Sequence, residues 1–365
     1  MENFDLGETI LGKIEEAKEK TGRINILITG KTGVGKSTLI NSMFQGNLAE
    51  TGQGRPCTQG IKEITKEGVP ISIFDTRGLE VKEYKETLNE LRNFISQKHK
   101  ETDVNKQIHV AWICISEDSR RVEEADTELV NMLSEFVPVI GVITKARSDN
   151  GFQAEVKKWL TQVRNVVRVR ALEEVIDDGN ITLPQMGLDK LADLTQEVIP
   201  EGRRNAFAAA QKASIKQKVS RAQKIVAGAA ATALATGASP IPFSDALVLV
   251  PVEIGMLASI SAVFGLDLSK SVLTTLVSSV IGSSAATIGG KAIVSGLLKC
   301  IPGIGTLAGS AISGTTASLL TTTIGELYIG TLSLLFEKNK GEPPRAEDIE
   351  KTFKEKLSLK KNSNI

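Results

Sequence analysis

Residues 24–44 read INILITGKTGVGKSTLINSMF, and this stretch decides how the first half of the chain folds. The apolar run Ile24–Thr29 predicts a buried strand, and residues 37–44 predict a helix. Residues 30–37 between them fit the pattern GxxxxGK[ST] in the strand–loop–helix context that this pattern requires. Glycines let successive backbone N–H groups turn inward around phosphate oxygens, and the helix N-terminus adds positive potential. The sequence therefore predicts a phosphate-binding loop.

The loop also supplies side chains with distinct predicted roles. Lys36 is expected to reach the β- and γ-phosphates of a nucleotide, and the Ser37 hydroxyl is expected to bind Mg²⁺. The predicted nucleotide contacts of the loop and the first helical turn are Gly30, Lys31, Thr32, Gly33, Val34, Gly35, Lys36, Ser37 and Thr38.

Two later segments complete the predicted phosphate site. The run DTRG, residues 75–78, follows the apolar strand VPISIF. The Asp75 carboxylate can hold Mg²⁺ through a water molecule, and the Gly78 N–H can sense the γ-phosphate, so that this loop orders only with a triphosphate. Between the two elements, the hydroxyl of Thr58 is a candidate to complete the Mg²⁺ shell from a mobile loop. The predicted metal ligands are Ser37, Thr58 and Asp75, and the predicted catalytic residues are Lys36, Thr58 and Gly78.

Short apolar runs alternate with helical patterns up to about residue 200. This alternation predicts an α/β fold in which helices cover both faces of a mostly parallel sheet. The runs Ile61–Thr65 and Val69–Asp75 are separated by Lys66-Glu67-Gly68, which predicts a hairpin that adds one antiparallel strand.

The order of the phosphate loop, Thr58, residues 75–78 and Ile143-Thr144-Lys145 resembles that of the Ras-like and Era-like P-loop GTPases (TRAFAC class) over roughly residues 20–200. The resemblance implies a G domain that binds GTP with Mg²⁺ and hydrolyses it to GDP and phosphate. It also implies that the segment Thr144-Lys145 serves the base, with the Lys145 stem packed over guanine. Ala171 would lie in the last loop that contacts the base.

The chain departs from this family pattern at two positions. Arg147 stands where the family motif TKxD places an Asp that accepts hydrogen bonds from guanine, and an Arg side chain has only donors. Asp149 is the candidate replacement, and an ATPase with a G-like fold remains an alternative. Leu79 stands where Ras-like enzymes carry a Gln that orients the attacking water. We therefore predict slow intrinsic hydrolysis that self-association, as a homodimer through the G domain, or another partner raises.

Composition narrows the classes of protein further. The formal net charge is +1, which argues against a surface devoted to nucleic acid, and no motif gives direct evidence of nucleic-acid binding. The three cysteines lie far apart without CxxC spacing, and with only two histidines the sequence favours neither a disulfide framework nor a Cys- or His-rich metal centre. The first residues are charged and lack the apolar core of a secretory signal. These features favour the cytoplasm.

The second half of the chain contains three long uncharged runs rich in small residues, at 225–244, 271–290 and 300–325. Their lengths match a bilayer core of about 30 Å, which takes around 20 apolar residues, but their Ser, Thr, Gly and Pro content weakens a spanning interpretation. Spanning helices, hairpins inserted into one leaflet and a soluble close-packed bundle all remain open. Asp245 and Glu253 lie in this apolar region. In a membrane they would be functional candidates, and otherwise we expect them to cap helices or to face solvent.

A basic stretch precedes the first uncharged run and favours an anionic membrane surface. Its cationic residues are Arg203, Arg204, Lys212, Lys216, Lys218, Arg221 and Lys224. From roughly 205 to 335 the chain resembles the DUF697 family, at Pro240 to Asp245, Phe264-Gly265, Pro302-Gly303 and Thr323 to Gly325. That resemblance implies membrane association and no known catalysis.

The predicted order of domains follows from these patterns. It is an N-terminal amphipathic helix (1–22), a G domain (23–200), a basic linker helix (201–224), an apolar all-α domain (225–338) and a charged tail (339–365). The first hypothesis is a GTPase at the cytoplasmic face of a membrane, with nucleotide state coupled to the helical domain. The second is a nucleotide-dependent switch that binds a protein or a ribosome through a soluble helical module.

Overall fold

The computed structural model describes residues 5–51, 53–58, 60–76, 84–176, 179, 181–236, 244–266, 269–281 and 314–362. The chain divides into two compact units, Gly22–Ser214 and a unit that combines Met1–Thr21 with Ile215–Ile365. Gly78 and Leu79 lie outside the described residues. The described helices are α1 (Leu6–Thr21), α2 (Lys36–Met43), α3 (Leu48–Thr51), α4 (Tyr84–His99), α5 (Glu124–Ser134), α6 (Phe152–Trp159), α7 (Leu188–Val198), α8 (Arg204–Ala210), α9 (Ile215–Thr236), α10 (Ser244–Phe264), α11 (Lys270–Ile281), α12 (Gly314–Lys338) and α13 (Ala346–Asn362).

A seven-stranded sheet forms the centre of the Gly22–Ser214 unit. Its strands are β1 (Ile24–Thr29), β2 (Gln53–Thr58), β3 (Ile61–Thr65), β4 (Ile71–Thr76), β5 (Val110–Ser116), β6 (Val139–Thr144) and β7 (Asn165–Arg168). Their order across the sheet is β2-β3-β4-β1-β5-β6-β7, and every pair from β4 to β7 is parallel. A separate ribbon pairs β8 (Glu174–Ile176) with β9 (Ile181–Leu183).

The sheet is buried on both faces, as the continuous apolar sequence of β1 predicts. Ile26 and Ile28 face one core cluster, and Leu27 faces the other. Helices α2, α7 and α8 cover the first face and helices α4, α5 and α6 cover the second, through the buried side chains of Leu39, Leu191, Phe207, Ile95, Leu129 and Val156. The predicted α/β fold with helices on both faces is confirmed.

The antiparallel edge of the sheet is larger than predicted. β3 and β4 form the predicted hairpin, but β2 adds a second antiparallel strand where the sequence suggested a mobile loop around Thr58. The pairing of β2 with β3 is irregular between Pro56 and Thr58. Pro56 lacks a backbone N–H and cannot donate to a strand ladder, but an edge strand tolerates such a residue. The sequence of β2, QGRPCT, has no apolar alternation, so that pattern did not reveal the strand.

The predicted basic linker helix over residues 201–224 is two helices that belong to different units. Residues 201–203 form a 3₁₀ turn, α8 ends at Ala210, and α9 begins at Ile215. Phe207 is fully buried and meets Phe44 edge to face at 6.4 Å between ring centroids. The Lys212 N–H donates to the Met43 carbonyl at 2.8 Å. These contacts fasten the residues up to 214 to the sheet unit.

The second unit is a helical bundle that includes the N-terminal helix. Ile10 and Ile14 of α1 are buried in the same core cluster as Leu257 of α10. Gly325 of α12 lies against Val226 of α9, where an added Cβ would be 2.5 Å from a Val226 methyl carbon. Gly325 therefore lets these two helices approach closely.

Glu253 is buried in the core of this bundle, so the expectation that it caps a helix or faces solvent is wrong. It lies in the middle of α10 with 5% of its surface exposed. One carboxyl oxygen accepts a hydrogen bond from the Thr321 hydroxyl at 2.6 Å, and the other has no hydrogen-bond partner. Burial raises the pKa of Glu253 to about 7, although the Thr321 hydrogen bond acts in the opposite direction.

Within the described parts of the chain, α12 is long and apolar enough to cross a membrane by length and composition. The helix buries 56% of its apolar window inside the unit, as the core helix of a packed bundle also does. Most of the predicted uncharged run 300–325 and part of the run 271–290 lie outside the described residues.

Candidate nucleotide site

The phosphate loop is a tight turn that requires glycine at its first position. Gly30 follows β1 with φ of +140°, and an added Cβ there would lie 2.3 Å from the Cys114 carbonyl oxygen on β5. Gly33 and Gly35 also have positive φ values, and Gly35 is the residue before α2. The backbone therefore curls around the N-terminus of α2, which is the geometry that the sequence predicts for binding phosphate.

The ammonium group of Lys36 spans this loop. Its Nζ atom donates to the carbonyl oxygens of Gly30 at 2.7 Å and Lys31 at 3.1 Å. A bound phosphate offers charged acceptors in exchange for these neutral carbonyls, and hydrogen bonds to charged groups are the stronger kind. Lys36 is therefore placed for its predicted role.

Thr144, at the end of β6, holds the loop from behind. Its buried hydroxyl donates to the Val34 carbonyl oxygen at 2.6 Å and lies 3.3 Å from the Ile115 carbonyl oxygen. The phosphate loop is thus fixed to the central strands of the sheet. This position explains why a small hydroxyl residue precedes Lys145.

The end of β4 brings a carboxylate to the same edge of the sheet. Asp75 lies beside Ile28 in register, and the Thr76 hydroxyl donates to the Thr29 hydroxyl at 2.9 Å. The Oδ1 atom of Asp75 is buried and has no hydrogen-bond partner. Burial raises the pKa of Asp75, and the nearby charge of Lys36 partly offsets this shift.

An unpartnered carboxylate oxygen beside a phosphate loop fits a Mg²⁺ ion or one of its water ligands. Ser37 is exposed in the first turn of α2, where its hydroxyl is available as a ligand. Thr58 ends the edge strand β2, and its side chain lies outside the described part of the structure. The donor types present therefore fit the metal that the sequence predicts.

A cavity of about 420 Å³ extends from the N-terminus of α2 toward the ends of β6 and β7. Lys145 lines this cavity and has φ of +53°, a left-handed conformation that is uncommon for a residue with a side chain. The lining residues are Gly35, Thr38, Leu39, Asp118, Thr144, Lys145, Arg147, Val169, Arg170, Ala171, Leu172, Glu173 and Glu174. The predicted base contacts Lys145 and Ala171 thus share one cavity with the end of the phosphate loop.

A second cavity of about 380 Å³ lies along the first half of the phosphate loop. Lys31, Thr32, Gly33 and Val34 line it, together with Lys145 and Asp118. Lys31 forms an ion pair with Glu123, which also lies 3.2 Å from the Arg121 guanidinium. The Lys31 side chain is therefore directed to a protein carboxylate.

Asp149 does not line either of these two cavities. Its Oδ1 atom accepts a hydrogen bond from the Gln153 N–H at 2.8 Å and so caps the first turn of α6. The same oxygen lies 3.5 Å from Arg168 Nε. The Asp149 carboxylate thus contacts α6 and Arg168, and it does not lie with the other predicted base contacts.

Sequence analysis missed Glu117, a buried carboxylate next to the base end of the site. Glu117 is 2% exposed, accepts from Arg168 Nε at 2.7 Å, and accepts from the backbone N–H of Arg147. Burial alone would raise the pKa of Glu117, but these hydrogen bonds lower it overall. An acidic residue directly after the apolar strand β5 was the available signal, and its partners are distant in sequence.

Arg147 forms a bidentate ion pair at the wall of the first cavity. Its guanidinium donates through Nε to Glu174 Oε2 at 2.9 Å and through a second nitrogen to the other Glu174 oxygen. Asp118 lies 3.7 Å from the same guanidinium. The Arg147 hydrogen bond holds the pKa of the Glu174 carboxyl below its ordinary value.

Comparisons with known proteins agree with both halves of this architecture. Residues 25–145 match the family model described as 50S ribosome-binding GTPase, and residues 203–359 match the domain of unknown function DUF697. Neuronal-specific septin-3 of Rattus norvegicus is 27% identical over 192 residues, which are 46% of this chain and 53% of the septin. Translocase of chloroplast 101 of Physcomitrium patens is 45% identical over 82 residues, which are 21% of this chain and 9% of the translocase.

A crystal structure of Cdc11 from Saccharomyces cerevisiae also matches, at 20% identity and a TM-score of 0.26, over 38% of this chain and 60% of that one. The chain spans about half the length of the septin that it matches. The family model and the septin and translocase relatives support a GTP-binding protein, and the matched residues 25–145 include the phosphate loop, β4 and β6.

Proposed function

Because the chain joins a P-loop GTPase domain to a DUF697 domain, we propose that it binds GTP with Mg²⁺ and hydrolyses it to GDP and phosphate. We further propose that the nucleotide state of the GTPase domain is coupled to the helical unit at the cytoplasmic face of a membrane. The observation that carries the chemistry is the buried, unpartnered Oδ1 atom of Asp75 beside Lys36 and the glycine-rich loop.

Each group of the phosphate site has a stated task in this proposal. The loop N–H groups and Lys36 bind the β- and γ-phosphates, and Ser37 and Asp75 hold Mg²⁺, directly or through water. Bound Mg²⁺ supplies charge neutralisation at the phosphates. Thr58 and Gly78 stay predictions for the metal shell and for sensing the γ-phosphate.

Chain connectivity supports coupling between the nucleotide and the helical unit. The units are joined at 21–22 and at 214–215, where α1 precedes β1 and α9 follows the segment after α8. β1 leads directly into the phosphate loop, and α1 packs against α10 through Ile10 and Ile14. A change in loop geometry on hydrolysis therefore has a short covalent route to the bundle.

We expect slow intrinsic GTP turnover that rises per molecule with protein concentration, because Leu79 cannot orient water and self-association would complete the site. Full-length protein would be assayed for phosphate release with Mg²⁺ and with EDTA across a dilution series. Asp75→Asn should lower the Mg²⁺-dependent rate by about tenfold or more, since it loses a charged interaction. Asp189→Asn, an exposed change on α7, is the matched control and should keep the rate.

Two results would contradict these expectations. A flat dependence of specific rate on concentration removes self-association as the activator. A Mg²⁺-dependent rate that Asp75→Asn leaves unchanged removes Asp75 from the metal site.

A second candidate function is a nucleotide-dependent switch for a protein or ribosome partner, and the burial of the apolar window of α12 inside the bundle favours it. Fractionation of cells that express the full chain separates the two. The membrane proposal predicts that the protein sediments with membranes through a salt wash and is released by detergent. Recovery in the supernatant before any wash would favour the switch.

A further inference from the structure

Reading guanine requires a hydrogen-bond acceptor that Arg147 cannot supply. The pairing edge of guanine carries two donors, N1–H and the 2-amino group, whereas adenine offers an acceptor at N1. An ionised carboxylate only accepts hydrogen bonds, so it favours guanine and repels adenine N1. A GTP-selective site here needs a carboxylate other than the family Asp.

The cavity of about 420 Å³ at the end of the phosphate loop limits which carboxylates can act as this acceptor. Its lining includes the carboxylates of Asp118, Glu173 and Glu174, together with the predicted base contacts Lys145 and Ala171. Asp149 is absent from this lining and caps α6. Among the described carboxylates of this lining, those of Asp118 and Glu174 contact the Arg147 guanidinium, and they are the candidate acceptors.

We infer that Glu174, oriented by Arg147, accepts a hydrogen bond from the 2-amino group of guanine, which adenine lacks, and thereby selects GTP over ATP. This inference rests on the proposed function. Arg147 binds both Glu174 oxygens through two guanidinium nitrogens, which fixes the direction of the carboxylate. A carboxylate has about four acceptor positions, and the Arg147 fork occupies the inner one on each oxygen, so an outer position of one oxygen stays available for a single hydrogen bond from the base.

The backbone of Glu174 is also fixed. Glu174 is the first residue of β8 and pairs with Leu183 of β9. Only 28% of its side chain is exposed, against 49% for Asp118. A base-reading group benefits from such support, because a preorganised acceptor costs less to order on binding.

Asp118 fits the role less well. Its contact with Arg147 is longer, at 3.7 Å, and a single carboxyl oxygen makes it. Arg147 is then a positioning residue. The family motif places a carboxylate at the position of Arg147, and in this chain Glu174, the ion-pair partner of Arg147, supplies it.

The test uses xanthosine triphosphate, in which a 2-oxo acceptor replaces the 2-amino donor of guanine. Glu174→Gln offers an amide N–H to that oxygen, so its affinity for XTP should rise relative to GTP. GTP affinity should fall about tenfold to a hundredfold, the range expected for loss of hydrogen bonds to a charged group. Titration calorimetry on the full chain with Mg²⁺ would compare GTP, XTP and ATP for the wild type and each variant.

Asp189→Asn, the exposed change on α7, is the control and should keep the wild-type preference. The inference is overturned by any Glu174→Gln result in which XTP does not gain on GTP, or by Asp118→Asn, Asp149→Asn or Glu173→Gln producing that gain instead. A wild type that does not prefer GTP over ATP would overturn the proposed function itself, which is a separate observation.

Discussion

Replacing Lys36 with alanine is expected to weaken GTP binding by at least about a hundredfold, which corresponds to roughly 3 kcal/mol. The expectation follows from the phosphate loop, where Lys36 Nζ is the ammonium group held across the turn by the Gly30 and Lys31 carbonyls. A hydrogen bond to a charged group contributes about 1.5–3 kcal/mol, and Lys36 is placed to serve two phosphates. Calorimetric titration of the full chain with GTP and Mg²⁺ measures the loss.

Lys31→Ala is the control for this change, because Lys31 lies in the same loop but is ion-paired with Glu123. Lys31→Ala should reduce GTP affinity only modestly, because the Lys31 ammonium is already paired with Glu123 and the backbone N–H of the loop is kept. Tight triphosphate binding by Lys36→Ala would show that the loop does not bind phosphate as proposed.

Glu253→Gln is expected to remove the part of the pH dependence of stability that this carboxyl contributes to the helical unit. The folded-state pKa of Glu253 is about 7 and the ordinary value is 4.5, so the folded protein holds this proton more tightly than the unfolded chain. Stability from this group is therefore full below about pH 4.5 and is lost as pH rises through 7. The total loss is roughly 3 kcal/mol, from about 1.4 kcal/mol per pKa unit.

The measurement is amide hydrogen exchange of α10 and α12 in the full chain at pH 5 and pH 8, corrected for intrinsic exchange rates. The wild type should lose protection at pH 8, whereas Glu253→Gln, which stays neutral, should keep it. Glu326→Gln, an exposed change on α12, should behave as the wild type. Equal protection of the wild type at the two pH values would contradict the burial of Glu253 as an isolated carboxyl.

Local sequence patterns were sufficient for the centre of the sheet unit. β1 and the phosphate loop follow from apolar run, glycine spacing and helix pattern, because each is determined by residues close in sequence. The edge strand β2 escaped detection because QGRPCT has no apolar alternation and contains Pro56.

Long-range contacts were not predictable from the same patterns. The amphipathic face of α1 predicts a buried stripe but does not name its partner, which is α10, far along the chain. The salt bridge between Glu117, which follows β5, and Arg168 of β7 also joins residues that are far apart in sequence. Asp149 was a plausible base contact by spacing alone, and only the structure shows its carboxylate capping α6.

Titration calorimetry that compares GTP and ATP binding by the full chain with Mg²⁺ decides whether the P-loop domain is selective for guanine. We expect a strong preference for GTP, because the Glu174 carboxylate that Arg147 binds lines the cavity at the end of the phosphate loop and, in our proposal, replaces the missing Asp. Equal affinity for the two nucleotides, or a preference for ATP, would contradict the claim that this P-loop domain is a GTPase.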